Sequence, residues 1–448
     1  MLTTIEQFNA AVNSVVWGPF FMALLLGAGL YLSIRLRFLQ FTRFPLVWRS
    51  TFARLFTRST GAGAGELSAF QAVSSAMAAT VGVGNIAGVS TAMFLGGPGA
   101  LFWMWVTAGV GMATKFSEVV LGMKYRHINA ADGEISGGPM YYIAAGLGQK
   151  WLAAVYAFLT GVAALGIGNM VQSNTVATSM QESLALSPSV SGGLVVFCVA
   201  VVILGGVRRI GQTAEYLVPV MALVYFAGGM VILVSHLSAL PEAIASILAH
   251  AFTPAAPVGA WTGATVGAAL RYGVARGIFS NEAGLGSASI VHAQAKNTPV
   301  GQGLWGMWEV SIDTLVVASV TGLVIMVTGV LGEVDVPPSA LAAAAFERGL
   351  PGPGHYLVFL SLVLFAYSTM LTWSFYGEKA WEYLFGRWVV VPYRVLFLAF
   401  LYIGSVGGLH LVWDVADTLN GLMAIPNLVA LLLLAPLVVR EKQRELPS

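Results

Sequence analysis

Apolar stretches long enough to cross a membrane recur along this sequence from end to end, and they constrain the fold more than any other feature. A helix needs about 20 mostly apolar residues to cross the hydrocarbon core of a bilayer. Only 9% of the residues are charged, against about 25% in soluble proteins, which is too few to cover a water-exposed surface. The runs are too long for membrane strands and lack their alternation, so the sequence predicts an all-α integral membrane protein.

Hydropathy predicts eleven transmembrane helices. Their limits are 13–34, 68–94, 98–122, 151–180, 192–206, 213–236, 259–292, 300–330, 355–380, 389–408 and 412–439. Cytoplasmic loops carry an excess of lysine and arginine. Of the 22 basic residues, 17 fall in every second loop or in the C-terminal tail, whereas the opposite loops hold only Arg348. This pattern predicts an N-terminus outside and a C-terminus in the cytoplasm. Segments 38–60 and 238–252 mix apolar and polar residues, so we expect them on the membrane surface.

Two of the predicted spans contain a segment that looks unable to stay helical. Residues 74–88 and 273–287 each combine glycines, small residues and an asparagine in mid-membrane. Each glycine costs a helix about 1 kcal/mol relative to alanine, so an unwound stretch is expected in both. Unwound backbone inside a membrane is tolerated only where it lines a cavity or binds something. The alternative is close helix packing through small residues such as Gly84 and Gly88.

The two segments begin two sets of five predicted spans, 66–236 and 259–440, and the odd number inverts one set relative to the other. Paired broken helices in an inverted repeat indicate the binding site of a secondary transporter. The predicted organisation has three parts. They are an extra N-terminal helix with an amphipathic loop over 1–60, a first repeat over 61–258, and an inverted second repeat with a short tail over 259–448.

Several other classes of protein are disfavoured by what the sequence lacks. It has no G-x-x-x-x-G-K-[ST] motif, so ATP is not expected to drive transport. It has no hydrolase or metalloprotease motif, so an enzyme is a weak alternative. A channel is a second weak alternative, because channels build pores from repeated filters or subunit rings. Cys198 is the only cysteine, the histidines lack metal-ligand spacing, and no basic run indicates nucleic acid.

The sequence resembles the alanine or glycine:cation symporter family over nearly its whole length. The motifs that carry the resemblance are Gly82-Val83-Gly84-Asn85-Ile86-Ala87-Gly88, Gly137-Gly138-Pro139-Met140-Tyr141-Tyr142, Gly168-Asn169-Met170-Val171-Gln172, Asn281-Glu282-Ala283-Gly284-Leu285-Gly286 and Thr372-Trp373-Ser374-Phe375-Tyr376-Gly377-Glu378. The resemblance implies a leucine-transporter-like inverted repeat and uptake of alanine or glycine with sodium across the cytoplasmic inner membrane. It implies a chain that works as a monomer. A proton-coupled carrier, or one for another small amino acid, is the main alternative on the same fold.

The resemblance and the broken helices together imply how the zwitterion binds. The substrate carboxylate is expected at the amides of Gly84 and Asn85, with Thr80 and Val81 nearby, because a half-helix N-terminus attracts anions. The ammonium group is expected on carbonyls around Gly277 to Phe279. The Asn85 side chain is a further candidate to ligate sodium or the carboxylate, with an interhelical hydrogen bond as its alternative role. Phe279 is expected to close one wall of the pocket, with packing against lipid or the core as its alternative.

Three further residues are expected to line the substrate pocket. Gln172 is polar in an apolar helix, so it is predicted either to touch substrate or to tie two helices together. Thr369 and Trp373 lie four residues apart on one helix face. Thr369 can offer a hydroxyl, and Trp373 either limits the pocket to small side chains or is plain packing.

A second cation position is expected, by analogy with the fold, where the first broken helix faces the eighth helix of the ten-helix core, and the sequence leaves open whether one or two ions bind. The carbonyls of Ala78 and Val81 and the hydroxyls of Ser368, Thr369 or Thr372 are the predicted sodium ligands. Charged residues within spans are further candidates. Lys115 is predicted to pair with Glu118, Glu309 and Asp313 lie four residues apart on one helix face, and Arg276 and Glu282, on either side of the second break, are predicted to pair or to act in gating. For Asp313 an interhelical tie is preferred over a proton or cation relay.

Overall fold

The structure, a computed structural model, describes residues 2–51, 65–129, 133–256, 263–332, 336–407 and 410–446, which are almost entirely helical. In the first half the helices are α1 (Leu2–Val16), α2 (Pro19–Arg35), α3 (Leu39–Thr42), α4 (Phe44–Ser50), α5 (Ala69–Thr80), α6 (Val89–Gly96), α7 (Gly99–Lys124), α8 (Pro139–Gly146), α9 (Lys150–Leu165), α10 (Val171–Leu184), α11 (Pro188–Ile203) and α12 (Gly206–Ser235). Two short antiparallel strands, β1 (His127–Ile128) and β2 (Ile135–Ser136), follow α7.

The second half continues the helical pattern. Its helices are α13 (Leu240–His250), α14 (Val266–Asn281), α15 (Ala288–His292), α16 (Pro299–Val310), α17 (Ser319–Thr328), α18 (Leu341–Gly349), α19 (Pro353–Phe385), α20 (Val390–Val406) and α21 (His410–Glu445). Three π-helical segments interrupt the spans. They are Gly84–Gly88 before α6, Gly166–Met170 between α9 and α10, and Ser311–Ala318 between α16 and α17. Such widened turns are frequent at functional sites.

Seven helices of the described residues are long and apolar enough to cross a membrane when consecutive helical segments are counted as one helix, and a bent pair makes an eighth. The seven are Glu6–Arg35, Lys150–Leu184, Gly206–Ser235, Pro299–Thr328, Pro353–Phe385, Arg387–Val406 and Asp414–Glu445. The bent pair is Ala69–Thr80 with Gly84–Gly96, at an angle of 48°. The chain is therefore a multi-spanning helical membrane protein, and the count of eleven crossings stays a prediction.

Some predicted segments differ from the observed helices. The first predicted span is interrupted, because Pro19 starts a new helix at a position where proline is favoured. The predicted span 192–206 coincides with α11, which has only 16 residues. In the segment 38–60 the structure has the short helices α3 and α4, and residues 52–60 lie outside the described residues. The segment 238–252 contains α13, which buries Ala243 and Ile247 on one face as an amphipathic helix does.

The first predicted break is present where the glycines indicated it. Ser68 caps α5 in a reciprocal capping box with Gln71, and the helix stops at Thr80. Helical structure resumes at Gly84, after the 48° bend. The sequence therefore specifies both where this helix begins and where it breaks.

The second break lies further along the chain than predicted. Helix α14 continues to Asn281, so Gly277 lies within a regular helix and Arg276 does not flank the break. The chain turns at Glu282, which has a left-handed backbone with φ 53°, and Gly284 and Gly286 have φ values of 103° and 80°. Glycine adopts these angles without steric cost, which explains why the break falls there.

The two broken helices lie in the centre of the helix assembly. Helix α5 packs against α12 and α19, whereas α14 packs against α6 and α7. A Cβ atom on Gly277 would lie 3.2 Å from Thr107 and 3.3 Å from Met104, so this glycine allows α14 to approach α7 closely. The end of α14 contacts the π-helical segment Gly84–Gly88, which follows the break after α5.

Candidate substrate and ion site

The Asn85 side chain leaves the carbonyl of Ala78, just before the first break, without its usual helical donor. The amide of Gly82 would ordinarily donate to Ala78 O, but it donates to Asn85 Oδ1 at 2.9 Å instead. Ala78 O accepts hydrogen bonds from the hydroxyls of Ser368 and Thr369, each at 3.1 Å. One carbonyl and two hydroxyl oxygens therefore meet where α5 faces α19.

Asn281 has a similar effect at the second break. The amide of Ala283, which would continue the helix by donating to Phe279 O, donates to Asn281 Oδ1 at 3.0 Å. The amide of Gly284 donates to Glu118 Oε1 at 2.9 Å, and the amide of Glu282 to Ile278 O at 2.9 Å. None of the three backbone amides that follow α14, those of residues 282–284, therefore donates to Phe279 O.

The two breaks are in direct contact. A Cβ atom on Gly84 would lie 3.4 Å from the Phe279 ring and 3.5 Å from the Cα atom of Ser280. Asn85 Nδ2 donates to Asp313 Oδ1 at 2.7 Å and to Asp313 O at 2.9 Å. The interhelical role considered for Asn85 is therefore present, and its side chain joins the first break to the π-helical segment after α16. The amide of Asn85 donates to Gly82 O at 3.1 Å, whereas Thr80 donates its hydroxyl to Ala76 O.

Gln172 has a buried oxygen with no partner in the described part of the chain. Its side chain is only 4% exposed, and Nε2 donates to Ile167 O at 3.0 Å in the preceding turn. The oxygen Oε1 has no hydrogen-bond partner. A buried acceptor without a donor is costly, so this atom is suited to accept a hydrogen bond from a ligand.

Trp373 is fixed in place from two sides. Its indole Nε1 donates to Glu282 Oε1 at 3.0 Å, and Ser287 donates to Glu282 Oε2 at 2.5 Å. On the other side, a Cβ atom on Gly168 would lie 2.1 Å from the Trp373 Cβ atom. Trp373 therefore packs against the π-helical segment before Gln172 and contacts the second break.

The predicted cation ligands do not all lie together. Thr369 was predicted both as a substrate contact and as one possible ion ligand. Its hydroxyl and that of Ser368 both donate to Ala78 O. The hydroxyl of Thr372 donates to Ser75 O at 2.8 Å, about one turn away along α5. Val81, three residues after Ala78, is fully buried. Among the three hydroxyls, the geometry favours Ser368 and Thr369 as companions of Ala78.

The predicted charge pairs are wrong for Lys115 and Arg276. Lys115 Nζ lies 3.0 Å from Glu309 Oε1, and His292 Nε2 lies 3.0 Å from Glu309 Oε2, all fully buried. Arg276 lies 3.9 Å from Asp417 in α21. The buried Lys115 charge is therefore paired with a carboxylate on another helix, and the half-buried Arg276 also lies nearest to a carboxylate on another helix.

Glu118 and Asp313 have neutral partners on other elements. Glu118 Oε1 accepts from the amides of Gly284 and Gly286 and from Asn427, at 2.7–3.0 Å, so it supports the second break rather than Lys115. Asp313 connects three helical elements, as the preferred interpretation of that residue required. Sequence reasoning did not find the contacts of Glu118 and Glu282, because their partners lie up to several hundred residues away.

A polar cavity of about 650 Å³ opens at the end of the molecule where α7 ends and α12 begins. It extends to Phe375, and ion pairs line it. The pairs are Arg394 with Glu378, Arg208 with Glu66, and both Lys379 and Arg387 with Glu134. Phe375 lies two residues beyond Trp373, so the cavity approaches the site from this end.

Two interrupted helices that meet at a buried, polar site are typical of one class of membrane protein, the secondary transporters. The family model described as the sodium:alanine symporter family matches residues 2–444, and the chain belongs to this family. It is not an enzyme family.

Curated relatives align with nearly the whole chain. The sodium/alanine symporter AgcS of Methanococcus maripaludis is 45% identical over 438 residues, which are 96% of this chain and 95% of the relative. The probable sodium/glutamine symporter GlnT of Bacillus subtilis is 34% identical, over 98% of this chain and 90% of the relative. The family is therefore one of amino-acid symporters whose members differ in substrate.

Solved structures show which fold the chain shares. The crystal structure of MhsT in complex with L-phenylalanine aligns with a TM-score of 0.53 at 12% identity, covering 83% of this chain and 96% of that one. MhsT is a transporter with the leucine-transporter fold. At this identity the likeness concerns the fold alone.

Proposed function

We propose that this protein carries alanine, glycine or both into the cell together with sodium, by alternating access. One observation carries the proposal. At the two contacting breaks, asparagine side chains divert backbone amides and leave the carbonyls of Ala78 and Phe279 free of their helical donors. Free carbonyls inside a membrane protein are suited to bind cations, and helix ends at the same place suit a zwitterion.

The substrate ammonium group is proposed to bind between Phe279 O and Gln172 Oε1. Phe279 lies two residues before the end of α14, and Gln172 lies two residues after the π-helical segment Gly166–Met170. Gln172 Oε1 is buried without a donor in the described structure. The carboxylate is proposed to bind at the Gly84 amide, where the helical structure resumes with its positive end. The Asn85 amide, also predicted for this role, already donates to Gly82 O, so Gly84 is the better supported of the two.

The sodium ion is proposed to bind Ala78 O and the hydroxyls of Ser368 and Thr369. Val81 and Thr372 were predicted with them and remain candidates for the same ion. Trp373, held by Glu282 and Gly168, is proposed to limit the space for the substrate side chain. Thr80 completes the predicted set near the carboxylate.

The proposal includes the membrane topology. We propose eleven transmembrane helices, an inverted repeat of five helices, an N-terminus outside and a cytoplasmic C-terminus in the inner membrane. The distribution of basic residues supports this orientation. The cavity at the end of α7 then opens to the cytoplasm. We propose that one chain transports without a partner, since both breaks belong to the same chain.

Uptake of labelled alanine into proteoliposomes tests the proposal. An inward sodium gradient should drive uptake, potassium in place of sodium should abolish it, and excess glycine should inhibit it. Uptake that follows a proton gradient and ignores sodium would instead establish the proton-coupled alternative. Parallel assays with glutamine address the substrate named for the Bacillus relative.

A further inference from the structure

An apolar cavity of about 390 Å³ lies against the π-helical segment Gly166–Met170, and the proposed alanine and sodium contacts do not use it. Helices α9, α20 and α21 line it with apolar residues, among them Val162, Leu165, Met170, Phe400, Val415 and Leu419. Apolar cavities of about 150 Å³ in other proteins stay free of water and take up small apolar molecules. A larger cavity of the same kind in a membrane protein is therefore expected to hold a hydrocarbon group.

The cavity is continuous with the lipid-facing surface of the protein. On α9, Phe158 is 52% exposed and lies one turn before Val162, on the same helix face. On α20, Leu396 and Ile403 are 44% and 46% exposed and flank Phe400 on one face. Both helices belong to stretches that are long and apolar enough to span a membrane. The acyl chains of the bilayer are therefore the hydrocarbon that lies at the mouth of the cavity.

The floor of the cavity is formed by residues that a lipid lying along the outer surface does not reach. Met170 is only 7% exposed and Ala416 only 2%. The lining of a void lacks partner atoms on one side and loses their dispersion attraction. Within a bilayer no hydrophobic force presses helices together to close such a void. An acyl chain that enters the cavity therefore gains contacts that the neighbouring helices do not supply.

The segment Gly166–Met170 separates the cavity from a proposed substrate contact. A Cβ atom on Gly168 would lie 2.1 Å from the Cβ atom of Trp373. Gly166 lies two residues earlier and so faces nearly the opposite side of the helix, where its Cβ atom would lie 2.6 Å from that of Ala416. One side of this widened turn therefore packs on the substrate pocket and the other side lines the cavity.

We infer that one acyl chain of a bilayer lipid inserts into this cavity and packs against the segment Gly166–Met170. The chain supports the widened turn from the side opposite Trp373. The inference concerns the bilayer and goes beyond the proposed transport function. It therefore holds whichever amino acid and cation the protein carries.

Photochemical labelling of the protein in proteoliposomes tests this site. The bilayer contains a phospholipid with a photoreactive diazirine in one acyl chain, and mass spectrometry locates the adducts after irradiation. Met170 should be labelled in the wild type together with the exposed residues Phe158 and Leu396, because only a chain inside the cavity reaches it. Adducts confined to the exposed residues would overturn the inference, and this result needs no variant.

A substitution at the mouth of the cavity sharpens the test. Val162→Phe places a ring where the chain enters, so labelling of Met170 should fall by more than half while labelling of Leu396 stays unchanged. Val231→Phe is the matched control, because Val231 is 55% exposed on α12, outside this cavity, and it should leave both adducts at the wild-type level.

Two further outcomes would contradict the inference. Undiminished labelling of Met170 in Val162→Phe would show that the lipid reaches this residue by another route. Labelling of Met170 that appears only when the protein is strongly diluted in lipid would mean that a second copy of the chain fills the cavity. Alanine uptake enters none of these outcomes, so failure of the inference leaves the proposed function intact.

Discussion

At the scale of single residues, two asparagines have the largest effect on the site. Asn85 and Asn281 each accept a hydrogen bond from a nearby backbone amide and so remove it from the regular helical pattern. Glycines alone make a helix weak, but they do not determine which carbonyl becomes free. The side-chain amide of asparagine does so, because it competes with the backbone for local hydrogen bonds.

Replacement of Asn85 by alanine tests this residue. Without Oδ1 the Gly82 amide can return to Ala78 O, so the sodium ligand is lost and Asp313 loses a donor. We expect the sodium concentration for half-maximal alanine uptake to rise about tenfold or more, as loss of a hydrogen bond near a charge implies. Asn174→Ala is the control, because Asn174 also donates to carbonyls of another helix but lies outside the site. Equal sodium dependence in both variants would contradict the role of Asn85.

At the scale of secondary-structure elements, the sequence predicted the helices better than it predicted their contacts. The breaks were expected from local composition, and the first lies where it was predicted because its glycines are adjacent to Asn85. The second lies further along because Glu282, Gly284 and Gly286 form the turn, whereas Gly277 serves close packing against α7. Lys115 and Glu118 looked like a pair, yet each has its partners on other helices. Such partners depend on tertiary packing, which local spacing does not determine.

The pair of Lys115 in α7 and Glu309 in α16 provides a prediction at this scale. Glu309→Gln leaves the lysine charge buried without an opposite charge, so it should destabilise the protein by about 3–5 kcal/mol. The measurement is thermal unfolding of the purified protein in detergent. The double variant Lys115→Met, Glu309→Met should be more stable than Glu309→Gln, because no unpaired charge remains. Equal stability of wild type and Glu309→Gln would show that the pair is not what holds these helices together.

At the scale of the whole molecule, the fold brings together two interrupted helices, one from each half of the chain. The family resemblance implied the leucine-transporter-like fold, and the fold shared with MhsT agrees with it. The eleven crossings and the inversion remain predictions, because several of the segments are short, interrupted or charged. The charged cavity and its ion pairs were not predicted from the sequence, since five separate parts of the chain contribute to them.

Alternating access makes a prediction for that cavity. A cysteine placed at Phe375, in a background with Cys198→Ala, should be labelled by a water-soluble maleimide through the cavity. Sodium alone should slow this labelling and added alanine should restore it, because ligands shift the population of states that they bind differently. A cysteine at the exposed residue Ile128, on the rim of the cavity, should react at a constant rate. Identical behaviour at both positions would argue against a moving gate here.

Coupling between sodium and alanine is the central claim, and one measurement tests it most directly. Proteoliposomes are equilibrated with the same labelled alanine concentration inside and outside, and an inward sodium gradient is then imposed. We predict that alanine accumulates inside above the outside concentration and returns to equality as the sodium gradient decays. Alanine that stays equal on both sides throughout, in a preparation that exchanges alanine, would contradict sodium-coupled symport.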